Sequence, residues 1–234
     1  MSLFAYGFRI FFFLSGFSAL LLVMGWVCVL LGFHSPMVSD PVGWHAHELL
    51  FGFVGAMIAG FLLTAVPSWT GEKARRGLPL VALSGLWLAA RVLLLFSDSH
   101  IGGLVDLAFF PALLALLVPP LVRAKQPKTL IFVPILTALW ISNLLMHLQS
   151  WRIAETRSQG LSLGISLIIL LIALIGGRVI PFFTRMALQT EPRQYPKIEA
   201  LSALTILLLP VLEVLQPRPA LVVTWSFLAV LVHS

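Results

Sequence analysis

Residues 44–66 read Trp44-His45-Ala46-His47-Glu48-Leu49-Leu50-Phe51-Gly52-Phe53-Val54-Gly55-Ala56-Met57-Ile58-Ala59-Gly60-Phe61-Leu62-Leu63-Thr64-Ala65-Val66. Two histidines and an acid open the segment, and no charge follows them within it. About 20 apolar residues in a helix cross the hydrocarbon core of a bilayer. The length therefore predicts a spanning helix with polar groups gathered at one end.

The rest of the chain repeats that pattern. Spanning segments are predicted at residues 8–31, 44–66, 80–96, 102–122, 129–148, 161–180, 198–215 and 220–232. The first of these is too long for the apolar part of a cleavable signal and is followed by no small-x-small cleavage site. Across 234 residues, 59% are hydrophobic and only 10% charged. Soluble domains carry roughly 25% charge, so this surface suits lipid rather than water. The expected fold is all-α: a polytopic transmembrane helical bundle of about eight spanning helices, in one domain over residues 1–234.

Charge orients the bundle. The net charge is +6 from 15 Lys and Arg against 9 acids. Loops carrying Arg9, Lys73, Arg75, Arg76, Arg123, Lys125, Lys128, Arg185, Arg193 and Lys197 share one side if consecutive helices alternate. Only Arg152, Arg157 and Arg218 lie in loops on the other. Basic loops remain cytoplasmic, which predicts a cytoplasmic N-terminus. The same alternation puts His34, His45, His47, His100 and His147 at the outer face, with His233 at the chain end. The basic residues are not interleaved with aromatics as in a nucleic-acid surface, so the expected partner is the lipid bilayer, with no nucleic acid.

The densest chemical cluster is His45, His47 and Glu48. Ionisable residues are costly inside a membrane and mark functional sites by default. At about 100° per residue, His45 and Glu48 share a face with Gly52, Gly55, Ala56 and Ala59, while His47 points to the other side. A continuous helix then sends the two imidazoles to different centres; an unwound first turn brings them to one. The bland alternative is a headgroup-level belt of Trp and His. His147 ends the fifth segment at the same face, with Asn143 one turn earlier and placed to orient it. Arg91 and Asp106 fall at similar depth on the third and fourth segments and are expected to pair with each other.

Gly176-Gly177-Arg178-Val179-Ile180-Pro181 predicts close packing and a kink or end to the sixth helix. Arg178 is a candidate partner for a haem propionate. Cys28, the single cysteine, reads as a small apolar residue, with no pairing and no CxxC metal site. Walker A, GxGxxG, GxSxG and HExxH patterns are absent from the sequence.

Three blocks resemble the NnrS family: Gly7-Phe8-Arg9-Ile10-Phe11-Phe12, the run from Trp44 through Phe53 and on from Ala59 to Gly71, and Gly177-Arg178-Val179-Ile180-Pro181-Phe182-Phe183-Thr184-Arg185. The resemblance implies a bacterial inner-membrane protein associated with haem and copper, and linked to nitric oxide, nitrosative stress and denitrification. On that basis the expected cofactors are haem and copper. His45, His47, His147 and Arg178 are the cofactor-binding candidates, and His45, His47 and Glu48 the metal set. Family members are longer, so the chain is expected to be a C-terminally truncated member, with a second polypeptide to supply missing helices.

Two other functions compete with a nitric-oxide-protective haem or copper protein. One is a transporter or metal-handling protein, with a path along Arg91, Asp106, Arg178 and Glu213. The other is an oxidoreductase that turns nitric oxide over.

Overall fold

The computed structural model describes residues 3–33, 40–96, 100–125 and 127–189, with isolated positions 201, 202, 204, 205 and 208. Six helices among these residues are long and apolar enough to cross a membrane. They are α1 (Gly7–Leu30), α2 (Pro41–Thr70), α3 (Leu78–Phe96), α4 (His100–Arg123), α5 (Phe132–Ser150) and α6 (Arg157–Leu188). No strand occurs among the described residues. The count is six rather than the expected eight because the segments at 198–215 and 220–232 lie outside the described residues, apart from the isolated positions. His34, Glu213, Arg218 and His233 also lie outside them.

By packing, the chain forms two compact units, Met1–Leu161 and Ser162–Ser234. In the first, α1 packs chiefly along α2, α3 forms a hairpin with α4, and α4 also contacts α2 and α5. The central helix is α2, with 56% of its spanning window buried against 17% for α1. Helix α1 exposes Phe12, Phe13, Phe17, Leu20, Leu21 and Met24. Such a face is a liability in water and suits acyl chains.

Local sequence explains the helix ends. The Asp40 side chain accepts from the Gly43 N–H at 3.0 Å and Pro41 occupies the first helical turn, a strong start signal for α2. Gly71 ends that helix in the left-handed conformation at φ 72°. In α4, Pro111 has no N–H to give the Leu107 carbonyl four residues earlier. The Trp140 indole of α5 donates to that carbonyl at 2.9 Å instead. Of the kink or end expected at Pro181, the end does not occur, because helix α6 continues to Leu188.

Candidate metal centre

Helix α2 is not a uniform α-helix. Residues Pro41–His47 are α-helical, Glu48–Val54 form a π-helical stretch, and Gly55–Thr70 return to α. Such wide turns shift the ladder and recur at functional sites. The Trp87 indole of α3 donates to the Gly52 carbonyl at 3.1 Å, and the Ser15 hydroxyl of α1 to the Phe53 carbonyl at 3.1 Å. Side chains from two neighbouring helices thus support the π turn.

That turn begins at Glu48, and His47 and Glu48 are both buried there. His47 Nδ1 lies 3.1 Å from Glu48 Oε1. The carboxylate meets His47, although an even 100° projection places it on one face with His45. The His45 ring turns away and stacks on Trp26, with centroids 4.3 Å apart. The expected divergence of the two imidazoles therefore holds.

Three more helices complete the cluster. Arg91 of α3 pairs with Asp106 Oδ1 of α4, as the matched depths predict, and also places Nη1 3.0 Å from Glu48 Oε1. Its Nη1 is not aligned for a hydrogen bond there, and its buried Nε has no hydrogen-bond partner. The guanidinium lies 5.7 Å from the Trp87 ring centroid. Asp106 Oδ2 accepts from Asn143 Nδ2 of α5 at 2.7 Å, and lies 2.9 Å from His147 Nε2 and 3.2 Å from His47 Nε2. Asn143 Oδ1 is 2.9 Å from His47 Nε2. Asn143 therefore reaches His147 through Asp106 rather than directly. Phe51 and Phe110, both almost fully buried, pack edge to face beneath His47.

Charge and hydrogen-bond accounting point to a cation. With neutral imidazoles, Glu48, Asp106 and Arg91 sum to one negative charge in a low-dielectric interior, where uncompensated charge costs several kcal/mol. Both His47 nitrogens face oxygen acceptors, but a neutral imidazole donates from only one. A proton or a metal ion resolves both deficits. His47, Asp106 and His147 present three ligand atoms all within 4.8 Å of one another, and each residue is buried. Divalent first-row ions bind histidine nitrogen and carboxylate oxygen at about 2.0–2.2 Å, which spaces tetrahedral donors about 3.4 Å apart. The observed 2.9 and 3.2 Å separations need only small outward shifts to admit an ion. Glu48 on the far nitrogen of His47 completes the carboxylate–histidine–metal arrangement that orients ligating imidazoles.

Of the residues expected to hold a cofactor or metal, the structure brings together His47, Glu48 and His147, joined by Arg91, Asp106 and Asn143. His45 goes to Trp26, and Arg178 lies part-buried on α6 in the second unit. Asp106 was absent from the expected ligand set because a mutual pair with Arg91 accounted for it. Its intramembrane charge was the signal available. A cavity of about 320 Å³ reaches His47 and His147 from a mouth lined by Asp40, Arg152 and Arg157.

Two glycines make room for the cluster. A Cβ at Gly103 would lie 2.6 Å from Trp151 Cζ2 and 2.9 Å from His147 Nδ1, and one at Gly52 2.7 Å from Arg91 Nη1. Gly103→Ala and Gly52→Ala are each expected to destabilise the protein by about 1–3 kcal/mol through overpacking. Gly85→Ala, where nothing lies within 4 Å, is expected to be neutral or mildly stabilising. Thermal unfolding in detergent checks the contrast, and equal midpoints for all three would contradict the close packing.

The sequence model of one family, described as NnrS protein, matches residues 2–234. No curated protein and no solved structure matches the chain.

Proposed function

The chain belongs to the NnrS family, and from that premise we propose that it is a copper-binding membrane protein of the nitric oxide response, with the metal held by His47, Asp106 and His147. The observation that carries this reading is the convergence of two buried imidazole Nε2 atoms on one carboxylate oxygen, at 2.9 and 3.2 Å. A nitrogen- and oxygen-rich set of this kind suits copper(II). A haem does not fit between the same two rings, whose centroids are 4.7 Å apart and whose Nε2 atoms aim at a single oxygen.

When bound, copper would supply an open coordination position for nitric oxide. The chain's own residues do the rest. Glu48 holds His47 through Nδ1, so Nε2 faces the site. Asn143 and Arg91 fix the two oxygens of Asp106. Phe51 and Phe110 keep water from the buried side. In a bacterial inner membrane with the N-terminus cytoplasmic, this end of the bundle faces outward, where a small uncharged gas arrives without a transporter.

The test is metal analysis and electron paramagnetic resonance of the full chain, purified in detergent and loaded with copper(II). Wild type is expected to retain one copper per chain, His45→Ala likewise, and His47→Ala and His147→Ala none. Unchanged copper in a His47→Ala/His147→Ala double variant overturns the assignment.

A further inference from the structure

The cavity above the candidate metal centre has a charge pattern opposite to its floor. Its mouth carries Arg152 and Arg157 against Asp40, one positive charge in excess. The floor has one negative charge when empty and becomes net positive once a divalent ion is in place. A metal-loaded site under a positive mouth lacks one negative charge, and a field of one sign in a cleft concentrates the opposite ion.

Arg152 is held where its residue type is unfavourable. Helix α5 ends with Trp151 N–H on the His147 carbonyl at 2.8 Å, Arg152 N–H on the Gln149 carbonyl at 2.9 Å and Ile153 N–H on the Leu148 carbonyl at 2.9 Å. Arg152 takes the left-handed position at φ 60°. Glycine is the usual occupant of that position, and other L-residues are strained there. Arg157, by contrast, is paired with Asp40, which leaves Arg152 as the excess charge at the mouth. Trp151, the residue before it, stacks on both His100 and His147, with centroids 5.3 and 5.5 Å away. The strained arginine is thus anchored one residue from a ring that touches a proposed ligand.

The geometry points to this cavity as the binding place of a small monovalent anion that reaches the metal, with Arg152 as the residue that selects for charge. The inference rests on the metal reading above. The anion completes the coordination left open by three protein ligands and neutralises the loaded site. A neutral diatomic ligand uses the same opening without help from Arg152.

The experiment uses the full chain in detergent, loaded with copper(II), with copper content measured first. Azide is then titrated and followed by its charge-transfer absorption, with thermal unfolding run on the same samples. Azide is expected to bind saturably to wild type. Arg152→Gly is expected to bind it about fivefold more weakly, the scale of one partly solvated charge, while its unfolding midpoint rises because the left-handed strain is gone. Arg152→Lys is expected to restore binding. A purely structural Arg152 would shift the unfolding midpoint and leave azide affinity alone, which overturns the inference. So does copper-loaded wild type that takes up no azide. A chain with no copper overturns the metal reading itself, and the anion inference with it.

Discussion

Asp106→Asn is expected to abolish copper retention and to lower stability by about 3–5 kcal/mol, the range for breaking a buried ionic network by removing one partner. Asp106 has more polar partners in the cluster than any other residue: Arg91 through Oδ1, and Asn143, His147 and His47 through Oδ2. Asparagine keeps the volume but replaces one acceptor with a donor. At the Oδ2 position that donor opposes the Asn143 amide, and at the Oδ1 position it opposes the Arg91 guanidinium, so a hydrogen bond is lost either way together with the negative charge. The measurement is copper stoichiometry together with the thermal midpoint in detergent. A variant that keeps one copper and a wild-type midpoint would mean that Asp106 is neither ligand nor hub.

Arg91→Met is the second large effect, and its sign depends on metal. Without copper, the substitution leaves Glu48 and Asp106 as two uncompensated carboxylates, 6% and 4% exposed. The loss is again expected to be about 3–5 kcal/mol. A divalent ion at His47, Asp106 and His147 supplies the two positive charges that are missing, and a ligand bound only by the folded state stabilises it by mass action. Added copper is therefore expected to raise the midpoint of Arg91→Met more than that of wild type. The double variant Arg91→Met/Glu48→Gln, which restores the original charge balance, should recover much of the metal-free stability. If copper shifts both midpoints equally, no cation binds close enough to the two carboxylates to neutralise them.

Both predictions depend on contacts that span four helices, and this is where reading the sequence met its limit. The six described helices were legible because hydropathy is a property of each segment alone: an uncharged run such as 49–66 has no soluble alternative. The pairing of Arg91 with Asp106 was legible too, since a short turn between adjacent helices equates their depths. His47 and His147 were placed at one end of the bundle by counting helices. Their meeting at a centroid distance of 4.7 Å was not in that count.

The contact between Glu48 and His47 was not legible in the sequence. An even helical projection groups the carboxylate with His45, but Glu48 begins a π turn. That turn is stabilised by Trp87 from α3 and Ser15 from α1, residues 35 and 38 positions away in sequence. At Pro181 the sequence left a kink and an end as alternatives, and the helix runs on to Leu188. Hydrophobicity and charge bias are summed along the chain, so the apolar helices and the gathering of histidines toward one end follow from residue order. The candidate ligand set depends on which side chains from distant helices fill the same few ångströms. Only folding places Asp106 between the two histidines and sends His45 to Trp26.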